Sequence, residues 1–399
     1  MTHVAVALPT TVTASVPAAA LANAVKRANL AAVKRRSLPI LACVRIGEGK
    51  VCATNLEQDI IVTVEALAGF PPVCVPAMPL LQLLKSFKGD VCLVPGEGHA
   101  LRVGEATLTG YDPQEYPALQ MDTQAPALIG TCVLPPRWAA VLPAVSPDAS
   151  RGAVAGLGLD IARGAVAATD GHRLHLVEWD LSGQDTEALL EHQRRYRWSP
   201  PVMPAEAAKM AAKLGARGPV VVSLYTASRA GSPDEPQARA AGQEEHSPRL
   251  FRVAAGGTEL WTRAHDTGFP DYTQVTWVPD GATAVSVPRA ALIEALQACR
   301  PFLEPPRRMG VTVQVTEDGL SVTATHPEHG AVTRMLPASG GTRALFGLNA
   351  RYLTEALMQM EAETALAQIP RAGQDGTVSR AIHLFDREFH ATIATMRIL

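Results

Sequence analysis

"VPAAALANAVKRANLAAV", Val16 to Val33, reads as the end of a strand handing over to a helix. Alternating β-branched residues precede it, and Pro17 stands at the hand-over, where a helix tolerates a residue without an N–H. Beyond it, Leu21, Val25, Ala28 and Ala32 recur at helical spacing and give the helix one face to bury. The same order recurs in "LPPRWAAVLPAV" from Leu134 and "VPRAALIEALQACRPFL" from Val287. A second set follows in "VPAMPLLQLLKSFKG" from Val75, "MPAEAAKMAAKLGARG" from Met203 and "LNARYLTEALMQME" from Leu348. Members of a pair lie 59, 69 and 61 residues apart, so one plan is used three times.

Between the helices run segments such as "GLGLDIARGAVAATDGHRLHLVEWDL" (Gly156 to Leu181), rich in Val, Thr and Ile and broken at glycine-containing turns. That is the pattern of antiparallel hairpins. The expected class is therefore α+β, with three repeated domains of two helices packed on antiparallel sheet. The predicted boundaries are 1-124, 125-276 and 277-399, with linkers near "MDTQAPAL" and "VPDGATA". A polar, proline-containing stretch at 226–249 reads as an insertion in the central repeat that carries no core.

The 399 residues are 47% hydrophobic and 19% charged, which fits packed domains and excludes extensive disorder. The six cysteines are scattered, mostly in strand-like runs, and lack the paired short spacing of a zinc site; they read as buried free thiols in a reducing compartment. The apolar N-terminal stretch lacks a basic start and contains prolines, so it reads as a strand leading into a helix and not as a signal peptide. No run reaches the length of a membrane span, and a cytoplasmic protein without cofactor or metal is expected.

Net charge is only −2, but its distribution is uneven. The six helical windows 17–36, 76–89, 135–146, 204–217, 288–303 and 349–361 hold fourteen basic residues against four glutamates, a net +10, which leaves −12 for the rest of the chain. Helices that merely face solvent usually mix both signs for i,i+4 pairing. A one-signed set instead suits a polyanion. Candidates are Lys26, Arg27, Lys34, Arg35, Arg36, Lys85, Lys88, Arg137, Lys209, Lys213 and Arg217. No aromatic interleaving accompanies them, which points to phosphate contact without sequence preference.

"ATDGHRLHL", Ala168 to Leu176, admits two readings. Asp170, His172 and His175 could centre a metal-dependent or Asp/His hydrolase. A two-residue spacing on a strand and its turn supplies no third ligand, however, and the stretch serves equally as a shaped surface.

Taken together, "LPIL" (Leu38 to Leu41), "TNLEQDI" (Thr54 to Ile60), "EYP" (Glu115 to Pro117), "ATDGHRL", "FPDY" (Phe269 to Tyr272), "LNARYL" and the terminal "MRIL" resemble the bacterial DNA polymerase III β subunit, the sliding clamp. The resemblance covers essentially the whole chain. It implies a non-catalytic processivity factor: a homodimeric ring of six domains that encircles double-stranded DNA on its basic helices. It further implies a cleft that receives short peptides from replicative polymerase, clamp loader and repair proteins. The cleft residues carried over are Val154, Thr169, Gly171, His172, Arg173, Leu174, Pro279, Asn349, Tyr352, Met396 and Arg397, with Gly171 allowing close approach, the stems of His172 and Arg173 as walls and Leu174 as floor. The dimer contact carried over is Leu108 against Phe302 and Leu303. The chain departs from the family in its tail "ATMRIL", in the lack of a large aromatic near Arg308, and in Ala106 where the family has an aromatic. A clamp-like protein without a replication role is the remaining alternative.

Overall fold

The computed structural model describes residues 12–33, 38–123, 126–195, 197, 199–216, 218–226, 249–305, 309–341, 343–373, 377–378 and 381–397. In chain order the first elements are β1 (Ala14–Pro17), α1 (Ala18–Ala28), β2 (Cys43–Gly47), β3 (Lys50–Thr54), β4 (Gln58–Thr63), β5 (Val73–Pro76), α2 (Ala77–Leu84), β6 (Asp90–Pro95), β7 (Leu101–Val103) and β8 (Ala106–Leu108). A single turn, α3 (Gln120–Thr123), follows.

Next come β9 (Ala127–Val133), a 3-10 run (Trp138–Ala144), β10 (Gly156–Asp160), β11 (Ala165–Thr169), β12 (Arg173–Glu178), α4 (Glu187–Arg195), β13 (Val202–Pro204), α5 (Ala205–Leu214), β14 (Val221–Thr226), β15 (Arg249–Ala255), β16 (Thr258–Arg263) and α6 (Thr273–Thr276). The chain closes with β17 (Thr283–Pro288), α7 (Arg289–Cys299), β18 (Gly310–Thr316), β19 (Gly319–His326), β20 (Gly330–Leu336), β21 (Ala344–Asn349), α8 (Ala350–Gln359), β22 (Thr364–Ile369), β23 (Ile382–Asp386) and β24 (Phe389–Ile393).

A unit of one strand, one helical segment and three strands thus occurs six times among the described residues. The units interlock in pairs, because the lead strand of each joins the sheet of its sibling: β1 pairs β6, β5 pairs β2, β9 pairs β14, β13 pairs β10, β17 pairs β22 and β21 pairs β18. All of these pairings are antiparallel. The α+β class read from the alternation stands.

The chain forms two compact units, Met1–Val133 with Lys209–Ala264 and Leu134–Ala208 with His265–Leu399. The division runs through the central repeat because its two halves contribute to different sheets. The first unit holds the sheet β1-β6-β7-β8 and the eight-stranded sheet β5-β2-β3-β4-β16-β15-β14-β9. The second holds β13-β10-β11-β12-β24-β23-β22-β17 and β20-β19-β18-β21. Each eight-stranded sheet is continuous because the strand that ends the first unit of one repeat pairs with the strand that ends the second unit of the next, β4 with β16 and β12 with β24.

Helices cover one face of these sheets with the apolar stripe read from sequence. Leu21, Val25 and Ala28 of α1 and Leu80 and Leu84 of α2 are buried in the first unit, as are Leu292, Leu296, Leu353 and Leu357 in the second. Each such leucine contributes about 1.5–3 kcal/mol over leaving it exposed. Two helix expectations need correction. The run after Pro135 is 3-10, with Trp138, Val141 and Ala144 buried at every third residue, and Pro143 inside it removes an α-type donor. Helix α4 stands outside the six expected segments, buries Leu189, His192 and Gln193, and has only a short apolar stripe to reveal it. Helix α1 ends at Ala28, so Lys34, Arg35 and Arg36 lie beyond it and, like Arg217 and the insertion stretch 227–248, outside the described residues. Of the six thiols five are buried and Cys92 is exposed, and burial pushes Cys52 and Cys132 up to about 12.

Candidate functional site

The turn between β11 and β12 is built by its own side chains. Thr169 Oγ1 accepts the Gly171 N–H at 3.1 Å, and Asp170 Oδ1 accepts those of His172 (3.0 Å) and Arg173 (3.1 Å). Gly171 sits at φ 89°, where a side chain would be strained, and a Cβ there would lie 3.1 Å from Arg151 Nη2. Asp170 Oδ2 accepts Arg173 Nε at 3.1 Å, so both carboxylate oxygens are committed within the turn. The turn of β3 and β4 repeats this scheme: Thr54 Oγ1 accepts from Leu56 N, and Asn55 Oδ1 from Glu57 N and Gln58 N.

Arg173 is buried and bridges the turn to two other elements. Its guanidinium donates to Glu355 and to the Pro143 carbonyl and stacks 4.3 Å from the centre of the Tyr352 ring, tying the turn to α8 and the 3-10 run. Leu174 points to the opposite face of β12, as strand alternation requires. It is 2% exposed, packed with Ala167, Val202, Phe269 and Tyr272. Leu174, the cleft floor that the resemblance implies, is thus packed against the FPDY aromatics Phe269 and Tyr272.

The remaining segments converge on this turn through backbone contacts. The His172 carbonyl accepts the Ala394 N–H at 2.9 Å, and Met396 N donates to the Gly347 carbonyl at 2.8 Å. A Cβ on Gly347 would lie 2.8 Å from the Met396 carbonyl oxygen, so the tail packs where only glycine fits. Asn349 caps α8, its Oδ1 accepting from Arg351 N and Tyr352 N. Val154 is buried at the end of the 3-10 turn 149–154, whose Arg151 Nη1 donates to the Asp170 carbonyl at 2.8 Å. His172, Gly171, Met396 and Arg397 are exposed on the surface so formed. Pro279 is half-buried in a turn in which its carbonyl accepts from Ala282 N, and none of the contacts above involves it. Arg151, Gly347 and Glu355 escaped the sequence reading; the only signals were a glycine within a strand and charges far apart in sequence.

The hydrolase alternative finds its residues separated. His175 is fully buried on the helix-facing side of β12, its Nδ1 3.2 Å from the Ala140 carbonyl and its ring edge-on to Phe389 at 5.3 Å. His172 is exposed at the turn. Among the described residues no group of three His, Cys, Asp or Glu side chains is placed to hold a metal.

Desolvation, helped by the nearby Arg173 charge, pushes the His175 imidazole down from its ordinary 6.5 to about 4. The unfolded chain then takes up a proton below about pH 6.5 that the folded chain refuses until about pH 4, so stability falls as pH drops through that window. We expect the urea midpoint to fall on acidification over this range and to fall less steeply in His175→Leu. His390, also pushed down to about 4 by burial, keeps part of the slope. An identical pH profile for the variant would remove His175 from this role.

Arg137, counted among the outward-facing cations, is corrected as well. Its side chain is 13% exposed and lies 3.4 Å from Glu361, 3.4 Å from Asp386 and 3.7 Å from Glu388. Lys26, Lys85, Lys88, Lys209 and Lys213 are exposed as read, and Arg27 is half-buried with its guanidinium on the Gly256 carbonyl.

Solved structures resemble this layout along nearly all of the chain. The DNA polymerase III subunit β sliding clamp of Bartonella birtlesii, bound to griselimycin, matches with a TM-score of 0.75 at 17% identity over 97% of this chain and 100% of that one. This chain has the sliding-clamp fold. The Pseudomonas aeruginosa clamp gives 0.74 at 19% identity and the Thermotoga maritima β subunit 0.73 at 17%, each over 97% of this chain and 100% of theirs. No family model and no curated protein matches the sequence. Within the clamp fold, the turn Thr169–Leu174 and the chain tail meet in one compact unit, over two hundred residues apart in sequence.

Proposed function

We propose that this chain is a DNA sliding clamp, a non-catalytic processivity factor whose ring encloses duplex DNA and whose cleft tethers the replicative polymerase, the clamp loader and repair proteins. The whole-chain match to sliding clamps carries the reading. It is supported by the exposed Lys26, Lys85, Lys88, Lys209 and Lys213, all in the first compact unit. In this reading the three repeats are the domains 1-124, 125-276 and 277-399, and no cofactor takes part. No helix among the described residues is long and apolar enough to cross a membrane.

The strand pattern supports a homodimer. Joining of repeats uses β4 with β16 and β12 with β24, and the equivalent strands at the two ends, β20 and β8, have no such partner among the described residues. Strand β20 is exposed along most of its length, with Met335 64% exposed, which leaves an edge open to another chain. Pairing β20 of one copy with β8 of a second would close both sheets and bring Leu108 of one near Phe302 and Leu303 of the other. Leu108→Asp is expected to halve the mass measured by light scattering at micromolar concentration, because an unpaired carboxylate would be buried in the contact. A wild-type chain that is already monomeric would count against the ring.

The cleft comprises the exposed surface around Gly171, His172, Met396 and Arg397, with Val154, Thr169, Asn349 and Tyr352 supporting it and Pro279 at its margin. The test of function is primer extension by the cognate polymerase and loader. Lys209→Glu with Lys213→Glu should shorten products while the fold and dimer persist. Full-length products from this variant at physiological salt would contradict the DNA-facing assignment of α5. Failure of the wild type to lengthen products at all would favour a clamp-like protein outside replication.

A further inference from the structure

We propose that contact with DNA phosphates is borne by α1, the turn after α2 and the C-terminal part of α5, and that α7 and α8 contribute none; this rests on the clamp reading above. The helical windows of the first repeat carry a net +7, those of the central repeat +3 and those of the third 0.

The structure sharpens that gradient. Lys26 of α1, Lys85 and Lys88 after α2, and Lys213 near the end of α5 are exposed, and no carboxylate lies within α1, α2 or residues 85–89; the one acid of α5, Glu206, stands in its first turn, two turns from Lys213. Two of the four cations that the helical windows place in the other compact unit are spent. Arg137 sits among three carboxylates, and Arg289 donates to the carbonyls of Ala362 at 2.8 Å and Leu357 at 3.4 Å. What α7 exposes is Ala290, Glu294 and Gln297, while α8 exposes Arg351 and a Met358 that is 64% exposed. Glu294 repels a phosphate and Met358 gains nothing from one, so the exposed charges of α7 and α8 themselves, Glu294 and Arg351, cancel, and Arg300 lies just past the end of α7. A polyanion is held where cations gather without acids, since the binding gain comes from counterions released at each neutralised phosphate. A ring of two such chains would hold DNA along two basic arcs separated by two neutral ones.

The test is equilibrium binding of a short mixed-sequence DNA duplex to the full chain over a series of salt concentrations. Lys26→Ala, Lys85→Ala and Lys213→Ala combined should lower the log–log salt slope by about 2–3, at about 0.9 per lost contact. Arg300→Ala with Arg351→Ala should leave the slope within about half a contact of wild type. Light scattering and circular dichroism confirm that both variants keep dimer and fold. Equal losses in the two variants, a larger loss in the second, or no loss in either would overturn the arc, while the clamp reading would survive through the wild type's salt-dependent binding. Absence of salt-dependent binding by the wild type would instead strike the clamp reading itself.

Discussion

Arg173→Ala is expected to lower folding stability by about 3–5 kcal/mol, the cost of leaving buried partners of a removed charge uncompensated. The residue is 6% exposed and its guanidinium serves Asp170, Glu355, the Pro143 carbonyl and the face of Tyr352 at once. Arg173→Lys should rescue little, since one ammonium cannot reproduce a planar fork that spans several acceptors and stacks on a ring. Urea unfolding of the three proteins reads the effect. A midpoint shift within error for Arg173→Ala would show that the hub is not energetically coupled to the fold.

The second large effect separates core from cleft. Leu174→Ala should cost about 2–5 kcal/mol of stability through the cavity left beneath Phe269 and Tyr272. Removing Met396 to Leu399 takes away the exposed Met396 and Arg397: Met396 is 42% exposed, and its described backbone anchor is the hydrogen bond to the Gly347 carbonyl. That truncation should leave the urea midpoint close to wild type while weakening a labelled clamp-binding peptide from the cognate polymerase by about 1–3 kcal/mol, as loss of a groove anchor does. Normal peptide affinity in the truncated chain would remove the tail from the cleft.

Much of the fold was legible because its signals are local. The proline hand-over, the helical stripe and the strand alternation each span a dozen residues or fewer, and they recur. What escaped depended on partners far away in sequence. Arg137 reads as an outward cation until Glu361, Asp386 and Glu388 arrive from more than two hundred residues downstream. The 3-10 run from Trp138 carries apolar residues that fit a helix of either pitch, and only Pro143 hints at the tighter one. In the turn, Gly171 was recognisable as a residue that allows close approach, but the fastening role of Asp170 and which face of β12 would be covered were not. The covered face depends on Phe269 and Tyr272, about a hundred residues downstream, which pack against Leu174.

The same distinction governs the chemistry. Asp170 and His172 look catalytic as letters, but the carboxylate is consumed by two backbone N–H groups and a guanidinium, which makes it a fastener for the loop that presents His172.

The most direct test of the central claim is topological. The protein is loaded by the cognate clamp loader onto nicked circular DNA, the complex is isolated, and the circle is then cut once. A clamp that encloses the duplex stays with the circle through a high-salt wash and leaves once a free end is made. Retention on the linear product, or loss from the intact circle during the wash, would contradict encirclement.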